Sequence, residues 1–178
     1  MIYPQQITPD ELLATQLELV MRNGRGLTLC SQLIGVAATL LLFWFYVPGP
    51  LLGLWAGAVV LLVVVHTFMV NRALSGHRYR DHPRARVWQL VIGAALLGVA
   101  WSAAYIFVAD RAPASLQHLF LVLIFMITLV SVGVTVIIRE YFVAFLFTSL
   151  WPIAWWSVAH YWEQPHNLLT GLGLLAVC

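Results

Sequence analysis

The chain contains several uninterrupted apolar runs of about 20 residues, and these runs constrain its fold more than any other feature. Of its 178 residues, 62% are hydrophobic and 9% are charged, whereas about a quarter of the residues in a soluble domain are charged. One packed core could not bury that much apolar surface, but a lipid bilayer can surround it. The sequence therefore predicts an integral membrane protein built from helices.

The apolar runs predict an all-α, polytopic bundle of about six transmembrane helices. The predicted spans are 27–47, 51–71, 87–109, 115–138, 141–162 and 167–178 onward, with a tight reversal at Pro48-Gly49-Pro50. The last run would reach only about 18 Å across a hydrocarbon core of about 30 Å. We therefore expect the natural chain to continue into a cytoplasmic output domain.

The basic residues, all of them arginine, predict the orientation of the bundle. If the spans alternate, only Arg111 falls on one side, and the positive-inside rule makes the other side cytoplasmic. That side holds the N-terminus and Arg22, Arg25, Arg72, Arg78, Arg80, Arg84, Arg86 and Arg139. We expect a multi-pass protein of the bacterial inner membrane with a cytoplasmic N-terminus. A net charge of +2 is too small to indicate a nucleic acid partner.

Residues 1–26 predict a cytoplasmic amphipathic helix at the membrane interface, ahead of a transmembrane domain at 27–178. Thr8 and Glu11 can form a capping box around Pro9. Apolar side chains would share one face of this helix, and Asn23-Gly24 would end it before the first span. Such a helix either anchors in the interface or forms a coupling or dimer contact. The face comprises Leu13, Leu17, Val20 and Met21.

No motif of a soluble enzyme is present, such as a phosphate loop, a nucleophile elbow or a paired-cysteine motif. Apart from histidines, the interiors of the predicted spans hold no charged side chain, since Asp, Glu, Lys and Arg are all absent from them. Intramembrane catalysis and ion-coupled transport usually need such groups at membrane depth. We therefore predict no catalytic residue in this segment and rank a transporter last.

Histidines near the predicted outer face are candidate metal or haem ligands. Neutral imidazoles at one depth can hold a divalent metal, and two can hold haem. The set is His118, His160 and His166, with Glu163 between the last two. Interfacial histidines without a ligand are commoner, so we expect no cofactor. A small haem- or metal-binding redox membrane protein is the alternative.

Pro152 interrupts the fifth predicted span and is expected to kink it. Trp151, Trp155 and Trp156 surround it, and large rings at a kink either pack together or line a cavity for an apolar ligand. Further polar contacts to such a ligand could come from Thr128 and Ser131 of the fourth span and from His66 of the second. For His66, a packed polar residue between helices is the commoner case.

Small residues predict close helix approach in two spans. Gly53 and Gly57 form a GxxxG pattern in the second span, and Ala94, Gly98 and Ser102 repeat every four residues in the third. Such ridges let helix backbones approach closely in a membrane. We expect these contacts mainly within one chain.

Nearly the whole chain resembles the multi-span N-terminal sensor regions of bacterial hybrid histidine kinases and of diguanylate cyclases or phosphodiesterases, the MASE-like class. The resemblance consists of a short helix at 8–23, six spans, a basic loop leading into Arg86-Val87-Trp88, and Gly98-Val99-Ala100-Trp101. Relatives often have Gly after that Trp, whereas this chain has Ser102. The resemblance implies a homodimeric signal-transduction input module. It would bind a hydrophobic small molecule in the membrane and control a downstream kinase or cyclic-di-GMP enzyme.

Overall fold

The computed structural model describes residues 8–76, 78–135, 138–160 and 173, without the side chains of Arg78 and of residues 131–135. Every regular element in these ranges is an α-helix, which confirms the predicted all-α class. The helices are α1 (Pro9–Phe43), α2 (Gly49–Ser75), α3 (Arg78–Asp81), α4 (Pro83–Ala109), α5 (Ala114–Thr135) and α6 (Arg139–His160). The predicted sixth span at 167–178 lies outside the described residues, apart from residue 173.

Four of the helices, α1, α2, α4 and α6, are long and apolar enough to cross a membrane. A fifth apolar stretch, Ala114–Val130 of α5, is shorter. Large apolar side chains are exposed on several helices, including Leu41, Leu54, Leu129 and Trp155. Apolar surface distributed in this way fits contact with lipid. The predicted membrane association is therefore supported, and six spans remain a prediction.

Helix α4 lies at the centre of the bundle, in contact with α1, α2, α5 and α6. Half of its most apolar window is buried, against 22% for α2. Its small residues Ala94, Gly98 and Ser102 are buried, which confirms their predicted role in close packing. A Cβ atom at Gly98 would collide with the Thr148 hydroxyl of α6. By contrast, a Cβ atom at Gly53 or Gly57 would meet none of the described residues within 4 Å, so the described part of the chain shows no intrachain contact for this pair.

The bundle has two chemically different ends. The arginine-rich end comprises the end of α2 and the starts of α4 and α6, where Arg72, Arg84 and Arg139 lie. Arg25 of α1 reaches the same end, because its Nη1 donates to the Asn71 side chain of α2 over 3.1 Å. The opposite end comprises the turn before Gly49, the turn at 110–113 and the end of α6.

Helix α1 is unbroken from Pro9 to Phe43, so the predicted separate helix ending at Asn23-Gly24 is wrong. Its start agrees with the sequence, since Thr8 and Glu11 form the predicted capping box. Gly24 is buried inside the helix, where packing offsets the weak helix propensity of glycine. With 35 residues, α1 extends about 52 Å and therefore projects beyond a hydrocarbon core of about 30 Å.

The apolar face of the first turns of α1 packs against protein and not against the membrane surface. Leu17, Val20 and Met21 are buried in the common core. The short helix α3 contacts α1, and the Tyr79 hydroxyl donates to Glu18 over 2.6 Å. The N-terminal segment is therefore part of the bundle.

Candidate functional site

A groove of about 320 Å³ lies between α2 and α4, over α1, toward the opposite end of the bundle. Its lining is apolar except for two groups, and both donate hydrogen bonds within the protein. The Thr39 hydroxyl donates to the Gly35 carbonyl, and the Trp55 indole N–H donates to the Ala100 carbonyl, each over 2.8 Å. The lining residues are Thr39, Leu51, Leu52, Leu54, Trp55, Ala58, Ala103, Ala104, Phe107 and Val108.

Small side chains on facing helices create the groove. Ala58 of α2 and Ala103 of α4 are both exposed at its wall, where longer side chains would fill the space. The Trp55–Ala100 hydrogen bond joins α2 to α4 beside this space and holds the indole in place. Because Leu54 is 72% exposed, the groove opens at the surface of the bundle and not into its interior. An apolar recess with this exposure suits a membrane-soluble molecule.

A network of aromatic rings supports the inner wall of the groove. The ring of Trp55 lies 5.3 Å from that of Trp101, which in turn lies 6.2 Å from that of Phe120. Trp101 is fully buried, and its indole N–H donates to the Gln32 side chain over 2.6 Å. A Cβ atom at Gly35 would lie 2.9 Å from the Trp101 ring, so glycine is needed at this point of α1. The Trp55–Trp101 contact is edge-to-face, an arrangement that stabilises aromatic pairs beyond the burial of their surfaces.

The tryptophans around Pro152 are divided between two faces of α6. Trp151 and Trp155 are 40% and 63% exposed, whereas Trp156 packs inward against the Tyr105 ring at 6.4 Å. Pro152 lies inside α6, which is helical on both sides of it.

Of the two polar residues of α5 expected to contact a ligand at these tryptophans, only Thr128 has a described side chain. Thr128 is buried, and its hydroxyl donates to the Ile124 carbonyl over 2.8 Å. The side chain of Ser131 lies outside the described residues. Binding of an apolar molecule at these tryptophans and threonine therefore stays a prediction.

The candidate metal ligands are only partly described. His118 is exposed at the start of α5, and His160 is exposed at the end of α6, where its Nε2 lies 3.8 Å from Asp110 Oδ1. His166 and Glu163 lie outside the described residues. Within the part of the chain that the structure describes, no three His, Cys, Asp or Glu side chains are grouped as a metal site would need. A haem or metal site at these histidines stays a prediction.

His66 is a residue of α2, and its side chain lies against α4 in the half of the bundle nearer the arginine-rich end. Its imidazole lies against Gly93, where a Cβ atom would be 2.6 Å from Nδ1. Its ring centre is 6.4 Å from that of Tyr141 in α6. His66 does not line the groove, and the ring beside it is that of Tyr141 and not one of the tryptophans around Pro152.

A charged cluster lies at the arginine-rich end, where α1 projects from the bundle. Glu18 pairs with Arg22 at 2.9 Å and with Arg80 at 3.7 Å, and it accepts the hydrogen bond from Tyr79. The Glu18 carboxylate favours the protonated phenol and thereby raises the pKa of Tyr79. Along α1, this cluster is about 32 Å from Thr39 in the groove. One continuous helix therefore joins the two sites.

None of the groove residues stood out in the sequence. The available signals were Thr39 inside a predicted span and the small residues Ala58 and Ala103, which are ordinary in membrane helices. Whether two such alanines face each other depends on how α2 and α4 are rotated and aligned, which hydropathy does not encode.

No protein-family model, curated protein or solved structure matches this chain. The resemblance to MASE-like sensor regions therefore rests on the sequence pattern alone.

Proposed function

We propose that this chain is the membrane-embedded sensory input module of a bacterial signalling protein. It binds an apolar, membrane-soluble molecule in the groove between α2 and α4. The observation that carries this proposal is the groove itself, about 320 Å³ in volume and lined by ten residues without a charge. Because both polar donors in the lining are already hydrogen-bonded, a hydrocarbon-like occupant loses no polar partner on entering.

Helix α2 is the element that an occupant would displace most easily. Only 22% of its most apolar window is buried, against 50% for α4 on the other side of the groove. Gly53 and Gly57 of α2 also have no neighbour within 4 Å of an added Cβ atom. A bound molecule can change the packing only by favouring one arrangement of these helices over another. A loosely held α2 makes two such arrangements accessible.

Helix α1 provides the path from the groove to the cytoplasmic side. Thr39 lines the groove, and Glu18 of the same helix holds Tyr79 and Arg80. In the predicted orientation this cluster is cytoplasmic. A shift or rotation of α1 would therefore alter the contact with α3, and a homodimeric kinase or cyclic-di-GMP enzyme would read this change as output.

Photocrosslinking with a diazirine-bearing fatty acid tests the binding site in native membranes. We expect the label on peptides that contain Trp55 or Phe107, because both side chains line the groove. Ala103→Leu fills the groove and should reduce this labelling about tenfold, corresponding to about 1.4 kcal/mol of lost binding free energy. Ala37→Leu places the same side chain at an exposed position of α1 and should leave it unchanged. Labelling spread evenly over exposed faces and insensitive to Ala103→Leu would refute the site.

A further inference from the structure

Two small cavities touch His66, and both are also lined by Val70 and Leu90. Each has a volume of about 20 Å³. A cavity needs roughly 10–15 Å³ to hold one water molecule, and the water needs two to four polar partners. Each cavity is therefore large enough for one water and too small for a phosphate or an organic ligand.

Both cavities carry the polar partners that a water molecule needs. Arg86 and Gln89 of α4 join His66 in lining the first cavity. Arg25 and Thr28 of α1 join it in lining the second, together with Tyr141 of α6. Three helices thus contribute polar residues to the lining of the two cavities.

An unsatisfied donor points to water in the first cavity. Arg86 Nη1 donates to Gln89 Oε1 over 2.5 Å. Arg86 Nε is buried and has no hydrogen-bond partner among the described residues. Buried N–H groups are almost always paired with protein or with ordered water. A water molecule in this cavity, which His66 also lines, would give Arg86 Nε an acceptor.

We infer that His66 is a hydrated proton-binding site, reached by water from the arginine-rich end of the bundle. Met69 and Gln89 are exposed beside the first cavity and open it toward that end. The charged or titratable groups that line the two cavities with His66 are Arg25 from α1, Arg86 from α4 and Tyr141 from α6. No carboxylate is among the lining residues that the structure describes. A proton on His66 therefore faces two arginines, and its binding weakens the packing of α2 against α1 and α4.

Deuterium exchange at the imidazole C2 position, followed by mass spectrometry on the protein in nanodiscs, tests this inference. The rate at this position depends on imidazole protonation and on contact with water. The exchange rate at His66 should depend on pH and should lie within roughly tenfold of that at exposed His82. A pH-independent rate, or exchange slower than this limit, would show that His66 is dry and overturn the inference.

Two arginine variants separate hydration from a general loss of stability. Arg86→Leu replaces the buried donor with hydrocarbon and should slow exchange at His66 several-fold without changing His82. Arg84→Leu is the matched control, because Arg84 is exposed, pairs with Asp10 at 3.6 Å and lines neither cavity. Gln89→Leu, at an exposed position of the first cavity, should act in the same direction as Arg86→Leu. The inference would be contradicted if Arg84→Leu and Arg86→Leu changed the exchange rate at His66 equally. It would also be contradicted if neither Arg86→Leu nor Gln89→Leu changed that rate.

Discussion

At the residue scale, the environment of each glycine decides what it contributes to the bundle. Gly98 allows α4 to approach α6 until its Cα faces Thr148 and the backbone at Phe145 and Ser149. Gly57 has no neighbour within 4 Å of an added Cβ atom, although its sequence pattern also predicts close packing. Spacing alone therefore does not distinguish a packing glycine from a lipid-facing one.

Gly98→Ala should destabilise the protein by about 1–3 kcal/mol, because the added methyl group meets backbone that has no room to move. Gly57→Ala is the matched control, and the helix propensity of alanine should make it neutral or slightly stabilising. Thermal unfolding of both variants in detergent micelles measures the difference. Equal unfolding temperatures would contradict the close α4–α6 contact.

Tyr79→Phe should lower the free energy of unfolding at pH 8 by about 1–2 kcal/mol, the usual worth of a hydrogen bond to a charged group in a partly exposed site. Because the pKa of Tyr79 is raised, this contribution is complete below the ordinary phenol pKa of about 10. It is lost as the pH rises through the raised value. Thermal unfolding should therefore show that the native protein loses stability between pH 8 and a pH above 10. Tyr79→Phe should not lose this part of the stability, because it lacks the hydrogen bond. Tyr46→Phe, at an exposed position, should behave like the native protein.

At the element scale, the apolar runs predicted most helices well, and the first helix shows why one prediction was wrong. In a bilayer every backbone polar group must be paired, so long apolar runs become helices whatever their tertiary contacts. The break at 48–50 followed from turn residues. Asn23-Gly24 is also a common helix end, but Gly24 is buried inside the continuous α1, where the helix gains packing contacts with the bundle. That gain depends on tertiary packing, which propensity does not describe.

Substitutions at Gly26 test the continuity of α1. Gly26 lies inside the helix with no neighbour within 4 Å of an added Cβ atom. Gly26→Ala should therefore stabilise the protein by roughly 0.5–1 kcal/mol through helix propensity. Gly26→Pro should destabilise it by about 3 kcal/mol or more, since proline removes a helical hydrogen bond. Chemical unfolding followed by circular dichroism measures both, and a tolerated proline would indicate a break near residue 24.

At the scale of the whole molecule, the two ends of the bundle carry different chemistry. The membrane fold and the separation of the arginines could be predicted because they follow from composition and from short turns. The groove could not, because it depends on Ala58 and Ala103 facing each other across α2 and α4. The ring contact of Trp55 with Trp101 depends on the same alignment.

Cysteine labelling tests the predicted orientation in a background without Cys30 and Cys178. A membrane-impermeant maleimide should label Gly49→Cys from outside intact cells, because the arginine asymmetry predicts that this turn is outside. Ser75→Cys should react only after the cells are permeabilised. Reaction of Ser75→Cys in intact cells would invert the topology.

Binding of a molecule in the groove should alter the packing of the charged cluster at the other end of α1. Amide hydrogen exchange in nanodiscs, with and without the diazirine-bearing fatty acid, measures this coupling at residues 11–22 and 79–84. In the native protein and in Ala37→Leu, the fatty acid should change exchange in these segments by about threefold or more. In Ala103→Leu, whose groove is filled, the fatty acid should leave amide exchange in these segments unchanged. If the native groove is photolabelled while exchange around Glu18 and Tyr79 stays the same, the groove binds lipid without signalling, and the sensory account is wrong.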